Sequence, residues 1–417
     1  DIHDIPGTVI KVPPKKMQER DFHTPCVIPS YAEVRDDPHA YCLAHTLIAQ
    51  NQNPYTGKTL IQRHPKTVII QNPPSRPLTP MEMDHIYDLP YQRAAHPSYE
   101  EEIPALIPVR FSVISHRGCY GNCSFCALSM HQGSIIQSRT RESILREIAS
   151  FRTIAGFSGI VSDVGGPSAN MYGDFCPAWQ KCGTCPDRSC ISCPSLQSGL
   201  STYLDLLDEA ERIPGLRHVY IGSGLRYDLI PLDEHYIIRI ARHISGQMKI
   251  APEHVSPTVT EIMNKPNVEC FERFRQIFEK VQSMIHAREK TRQYLVPYLM
   301  SGHPGCTIND MILLAEYLRD TRLYPEQVQD FTPTPLTTST CMYATGIDPR
   351  TGKSVHIPKG EEKRIQRAIL RWREPAQYSL VKEGLIRAGR KDLIGKGKDC
   401  LIPPSKKGEI RADLKKH

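Results

Sequence analysis

No apolar run in this 417-residue chain approaches the roughly 18 residues that a helix needs to cross a bilayer, so no membrane span is expected. Cysteine is too dilute for a disulfide scaffold. Its fourteen residues gather mostly at metal-ligand spacings, which points to a reducing compartment and a cytoplasmic location. The net charge of +7 is mildly basic, and part of it lies in the tail "KGKDCLIPPSKKGEIRADLKKH". No aromatic residue alternates with those lysines, so they read as a solvated charged face and nucleic acid is not indicated as a partner. No internal repeat and no separate RNA-binding module is recognisable. Residue 1 is Asp and no charged-then-apolar leader follows, so the chain is expected to be a fragment or a processed form whose targeting signals are out of sight.

What is present suffices for one large core or two to three modest ones, since 40% of the residues are hydrophobic. Residues 1–107 are rich in proline and polar residues ("QNPPSRPLTP", "DLPYQRAAHPSYEEEIP") with one convincing strand at 66–71, and read as an extended N-terminal segment packed on the rest. From residue 108 a regular alternation begins. The short apolar runs "VRFSVIS", "FSGIVSDVG", "RHVYIGSG", "QMKIAPEH", "QYLVPYLMS" and "EQVQDFTPTP" have the β-branched and aromatic character of strands buried on both faces. Most are separated by helical periods such as "TRESILREIASFRT" and "ECFERFRQIFEKVQSMIHAR". Six strands alternating with helices argue for an α/β fold with a parallel sheet, doubly wound or curled into a partial barrel, with ligands at the carboxyl ends of the strands. The core is expected over 108–342, interrupted by a cysteine-rich insertion at 170–195, with a C-terminal helical extension over 343–417.

The stretch "ISHRGCYGNCSFCALSMHQG" puts Cys119, Cys123 and Cys126 on one loop just after the first strand. On a loop containing Gly118 and Gly121 they can turn inward together onto one soft metal centre. A structural zinc would want a fourth ligand, for which only His116 and His131 are near. Three protein ligands leave a coordination position open, which is useful where a small molecule must be ligated and reduced.

The spacing Cys119-x3-Cys123-x2-Cys126, with Phe125 before the last cysteine and a β/α series behind it, resembles the signature of the radical S-adenosylmethionine (SAM) superfamily. The resemblance implies a [4Fe-4S] cluster on the three cysteines, SAM chelating the fourth iron, and reductive cleavage to methionine and a 5′-deoxyadenosyl radical. It also implies a (β/α)6 partial TIM barrel and a reductant such as flavodoxin or ferredoxin. "IQSRTRESILREI", "VSDVGGPSANMYG", "IGSGLRYD", "KIAPEHVSPTVTEIMNKP", "QYLVPYLMSGHPGCT" and "VQDFTPTPLTTSTCMYATGIDP" resemble one group within it, the YgiQ-type radical SAM proteins, over nearly the whole chain. Members of that group carry a cobalamin-binding-like α/β domain before the segment seen here, so cobalamin would enter only through a domain this chain is expected to lack.

Carried over residue by residue, the resemblance places cofactor contacts at successive strand ends. Gly165, Gly166 and Pro167 stand where a glycine pair meets the SAM amino group; Pro167 replaces a frequent acidic residue, so backbone carbonyls would make the contact, and glycine permits that approach. Ser223 and Arg226 stand where polar side chains reach the ribose or carboxylate. Glu253 and His254 are the fourth strand's contribution, and His303 with Pro304 the fifth's, near the adenine. Simple turns and surface salt bridges are the bland alternatives. Phe125 is counted with the cofactor contacts.

A second constellation, "CPAWQKCGTCPDRSCISC", holds Cys176, Cys182, Cys185, Cys190 and Cys193. Its two C-x2-C pairs read as metal-binding knuckles for a second [4Fe-4S] cluster or a zinc ion, since unliganded exposed thiols at such density are an oxidation liability. Cys26, Cys42, Cys270 and Cys400 read as packing residues. Cys306 and Cys341 are expected at strand ends facing the cavity. The expected function is SAM cleavage acting on an unidentified small molecule or peptide, with tRNA or protein modification as the other substrate class. A non-catalytic metal-binding or redox-sensing protein is the competing reading.

Overall fold

The computed structural model describes residues 5–17, 24–185, 190–325 and 328–404. Most of the lysine-rich tail therefore lies outside the described residues. The chain divides into two compact units, one of Asp1–Ala251, Glu269–Val296 and Pro333–Ser354, the other of Pro252–Val268, Pro297–Thr332 and Val355–His417. Among the described residues, no helix is long and apolar enough to cross a membrane.

In the first unit, Val9–Val12 (β1), Cys26–Val27 (β2), Leu60–Arg63 (β3) and Val68–Gln71 (β4) build a four-stranded sheet in the order β1-β4-β3-β2. β4 runs antiparallel to β1 and β3, and β2 parallel to β3. Ile10, Val12, Ile61, Val68 and Ile70 form its buried core. The sequence reading expects one strand in an otherwise extended segment. The difference has a physical cause: strands of two to four residues bounded by Pro13, Pro25, Pro29 and Pro65 are too short to show a period, and only pairing reveals them.

The six apolar runs each hold a strand or part of one. In the first unit Ser112–Ile114 (β5) is followed, after the antiparallel pair His116–Arg117 (β6) and Gln137–Ser138 (β7), by Ile160–Val161 (β8), Asp163–Gly165 (β9), His218–Val219 (β10) and the first part of Gln247–Glu253 (β11). β5 pairs parallel with β9, β8 with β10, and a parallel bridge joins Leu225 to Ile250. The helices Arg141–Ser150, Leu200–Ala210 and Glu234–Arg242 lie in the connections. Each is amphipathic by construction of its sequence: Ile237, Ile240 and Ala241 face inward while Arg239 reaches Asp205 and Asp208. Thr140 and Asp233 cap their helices through the N–H groups of Ser143 and His235.

In the second unit the end of Tyr294–Ser301 (β12) pairs parallel with Val328–Asp330 (β13), with the helix Ile308–Thr321 between them in sequence. The C-terminal helices Gly360–Leu370 and Tyr378–Arg387 pack closely because residue 384 is glycine; a Cβ there would stand 2.6 Å from Ile365 Cγ2.

A buried charge network fixes β5 in the first unit. Arg139 is fully buried and donates to the Ile114 carbonyl at 3.1 Å and to Ser143 Oγ at 2.7 Å. Arg93 donates to the carbonyls of Arg110 (2.9 Å) and Ser112 (2.8 Å), and burial pulls its pKa down. Both guanidinium groups end on the carboxylate of Glu147. One anion thus answers one buried and one half-buried cation, and removing it leaves both without a counter-charge. Glu147→Gln should destabilise the chain by about 3 kcal/mol or more, read as a lowered urea midpoint at unchanged slope; a change under about 1 kcal/mol would show that water or other groups compensate.

Candidate functional site

The loop after β6 is shaped by its glycines. Gly118 has φ +91°, and a Cβ there would stand 2.1 Å from the Ile135 carbonyl oxygen. At Gly121 a Cβ would stand 2.4 Å from Arg226 Nη1. The three cysteines of this loop are half-buried. The Gly121 N–H donates to Cys119 Sγ at 3.4 Å, and Arg226 Nη1 stands 3.6 Å from Cys123 Sγ. Burial pushes the Cys119 thiol up to about 11, against the pull of the Gly121 N–H and the Arg226 charge. Arg226 is itself buried. Burial pulls its pKa down, but the Asp228 carboxylate, held at 2.6 and 3.0 Å, and Cys123 outweigh that and raise it.

The end of β9 is stitched to the start of this loop. Ser115 donates to the Gly165 carbonyl through its N–H (2.7 Å) and its hydroxyl (3.0 Å). His116 stacks so tightly on Gly166 that a Cβ there would lie 2.4 Å from its Cε1, and a Cβ on Gly165 would lie 2.2 Å from Ser223 Oγ. Only glycine fits either position. Asp163 organises the next strand end: its carboxylate accepts from the N–H groups of Gly222 (2.8 Å) and Ser223 (3.0 Å) and from the Ser223 hydroxyl, while burial raises its pKa. Asp163, Gly165, Gly166, Pro167, Ser223 and His116 line a cavity of about 620 Å³, within the range that holds a nucleoside-sized ligand.

The residues expected at the cofactor are thus distributed unequally. Gly165, Gly166, Pro167 and Ser223 share the cavity, although the Ser223 hydroxyl is committed to Asp163. Arg226 turns to the cysteine loop and Asp228. Phe125 is half-buried within the loop. Glu253, His254, His303 and Pro304 belong to the second unit. There Glu253 is buried with φ +68°, a strained backbone for a non-glycine residue, its Oε2 finds no partner among the described residues, and burial raises its pKa. His254 accepts from the Ser256 N–H at 3.0 Å and stands 3.8 Å from Cys306 Sγ. The His303 ring meets Phe331 edge-on at 5.3 Å. Cys341 does not face the cavity of the first unit: it packs on Cys42 at 3.8 Å, between the helices Pro38–Gln50 and Thr338–Thr345.

The insertion opens and closes on the antiparallel bridge Phe175–Gln197. Its five cysteines sort differently from the two C-x2-C pairs. Cys176, Cys185, Cys190 and Cys193 line one small cavity with Trp179 and Leu196. Cys182 is exposed and its thiol points back to the Ala178 carbonyl at 3.5 Å. Burial pushes the Cys190 thiol up to about 11, reinforced by the sulfurs of Cys185 and Cys176. Among the described residues, no group of three or more His, Cys, Asp or Glu is arranged to hold a metal ion as it stands. The chemistry of the first donor set nevertheless fits a thiolate-bound cluster: three soft ligands, with an N–H and a guanidinium directed at two of their sulfurs, beside a cradle that any Cβ would fill. A four-iron cube spreads its ligands over separate irons, so it does not require the three sulfurs to meet at one point.

Sequence reasoning missed Asp163 and Asn170, and named His116 only as a nearby candidate ligand for zinc. Asn170 holds the Arg226 backbone on both sides, its Oδ1 accepting from the N–H and its Nδ2 donating to the carbonyl, each at 2.9 Å. The only signal was the placement of "SDVGG" and "SAN" around a strand end.

Residues 1–112 match the family model described as Radical SAM N-terminal, and residues 326–415 match one described as a domain of unknown function, DUF3362. A UPF0313 protein of Methanocella arvoryzae is 50% identical over 410 residues, covering 97% of this chain and 67% of that protein. A UPF0313 protein of Methanosarcina acetivorans is 49% identical over 427 residues, covering 96% and 57%. The chain therefore spans 57% to 67% of the length of these two relatives. Among solved structures, it is similar to the radical S-adenosylmethionine methyltransferase TsrM from Kitasatospora setae with cobalamin and a [4Fe-4S] cluster bound, at 13% identity and TM-score 0.38, over 56% of this chain and 39% of that one. It is also similar to the cobalamin-dependent S-adenosylmethionine radical enzyme OxsB, at 10% identity and TM-score 0.42, over 67% and 45%. These TM-scores are too low for a shared fold to follow from them.

His116 yields a pH test. Burial pushes its imidazole down from 6.5 to about 4, so the folded chain holds it neutral where the unfolded chain protonates it. Its contribution to stability is complete above pH 6.5 and is lost as pH falls toward 4, by about 3 kcal/mol in total. Urea unfolding of the metal-free chain should show this loss, and His116→Phe should flatten the curve over that window by a like amount. Parallel curves for the two proteins would place the acid sensitivity elsewhere.

Proposed function

Because the chain belongs to the UPF0313 family of YgiQ-type radical SAM proteins, we propose that it is a radical SAM enzyme holding a [4Fe-4S] cluster on Cys119, Cys123 and Cys126. The observation that carries this reading is the joining, through Ser115 and His116, of the three-cysteine loop to the Gly165–Gly166 turn beside a ligand-sized cavity. Parallel strand pairing in chain order supports a (β/α)6 partial barrel as its frame.

When bound, the cluster supplies the electron that splits SAM into methionine and a 5′-deoxyadenosyl radical. The chain's own residues orient and shield. Arg226 and the Gly121 N–H offset negative charge on the sulfurs of Cys123 and Cys119. The Gly165 carbonyl is already taken twice by Ser115, so the SAM ammonium is received by the carbonyls of Gly166 and Pro167. Asp163, paired with Ser223, offers carboxylate oxygens to the ribose hydroxyls. The substrate is a small molecule or peptide, and a flavodoxin- or ferredoxin-type reductant feeds the site in a reducing, cytoplasmic setting. Cobalamin would act only through chain outside this segment.

Anaerobic reconstitution with iron and sulfide, followed by dithionite and SAM, tests the reading. The chain should form 5′-deoxyadenosine and methionine, and Ala at any one of Cys119, Cys123 or Cys126 should abolish both products and remove the iron of this site. A reconstituted chain that carries the cluster but yields no 5′-deoxyadenosine with SAM would favour the non-catalytic, redox-sensing reading. Native turnover in the triple Ala variant would refute the ligand assignment.

A further inference from the structure

The insertion between Phe175 and Gln197 gathers four thiols at one place, two buried (Cys176, Cys190), one half-buried (Cys193) and one exposed (Cys185). Cys176, Cys185, Cys190 and Cys193 line a single cavity of about 20 Å³, together with Trp179 and Leu196. That volume takes one water-sized sphere. An eight-atom iron–sulfur cube is several times larger than that space.

Those walls belong to a dense core. Cys176, Cys190 and Trp179 are buried together with Tyr120, Ile135, Ile136 and Met171, and Leu196 and Cys119 pack against the same cluster. The Tyr120 ring lies 5.9 Å from Trp179, and its hydroxyl donates to Asp174 at 2.5 Å. The remaining cysteine of the insertion is set apart. Cys182 does not line the cavity, its thiol reaching the Ala178 carbonyl instead, and the segment around it is tied from outside by Asn53, whose Nδ2 donates to the carbonyls of Cys182 (2.8 Å) and Thr184 (3.1 Å).

From this arrangement we infer that Cys176, Cys185, Cys190 and Cys193 bind one tetrahedral zinc-class ion, with Cys182 excluded. The four thiols surround the cavity without yet closing on a metal; the ion draws them in and displaces four protons, giving a tetrathiolate centre with no open position and no redox change. Such a site is structural. It fastens the insertion to the core beneath Tyr120, the neighbour of Cys119, and it stands independently of any reading of the Cys119 loop.

The test uses the full chain carrying Ala at Cys119, Cys123 and Cys126, so that metal found is metal of the insertion. Zinc analysis should give one ion per chain, unchanged by Cys182→Ser and lost in the Cys190→Ser, Cys193→Ser double variant. Cobalt(II) substituted for zinc should show the intense charge-transfer and visible bands of four thiolate ligands. In the zinc-loaded chain, iodoacetamide should modify Cys182 and spare the other four, an outcome that does not depend on whether the double variant folds. Four irons with a reducible chromophore, loss of zinc on Cys182→Ser, or equal alkylation of all five thiols would each overturn the assignment.

Discussion

A guanidinium ion withdrawn from water must be answered by nearby negative or acceptor groups, and Arg226 imposes that requirement on the whole face around it. Asp228 takes two of its nitrogens, and the third is left beside Cys123. Its backbone is clasped on both sides by the Asn170 amide. Residue 121 must then be glycine, because any side chain would collide with Nη1. Three separated pieces of sequence, "GNC", "SAN" and "GLRYD", are in this sense one object. A thiol trio held next to a fixed cation has a partner for the negative charge its sulfurs carry once they bind a metal centre, whereas the same trio on a free loop would have none.

Signals carried within a few residues were legible in the sequence. The cysteine spacing, the glycine pair before Pro167 and the alternation of apolar runs with helical periods each repeat a local rule, and each run contains a strand where the pattern asks for one. What escaped was set by partners distant in the chain. Of the small sheet only Val68–Gln71 was legible; Val9–Val12, Cys26–Val27 and Leu60–Arg63 are too short to show a period and exist as strands only through pairing. Asp163 gives no local sign that it will receive Gly222 and Ser223 from 59 and 60 residues away. That Cys176 shares a cavity with Cys185, Cys190 and Cys193 while Cys182 does not is beyond spacing for the same reason: C-x2-C describes what two residues can do together, while the fold decides which thiols meet.

The two cysteine sets are mechanically related within their unit. Cys119 packs against the apolar cluster that contains Cys176 and Cys190, with Tyr120 and Trp179 between them. Close-packed interiors transmit displacement, so a loosened insertion would be felt at the loop that starts with Cys119. Gly118 adds to this stiffness, since its backbone nearly touches Ile135, a member of the same cluster.

The bridge between Phe175 and Gln197 makes the insertion a closed excursion that leaves the chain and returns to nearly the same point. Ladder hydrogen bonds of β5 with β9 and of β8 with β10 involve no residue inside it. For a loop closed in this way, doubling the length adds only about 0.6 kcal/mol of closure entropy. Outside Cys176, Trp179 and Cys190, which pack in the core cluster, insertion length is therefore cheap to vary while the strand register beneath stays as it is.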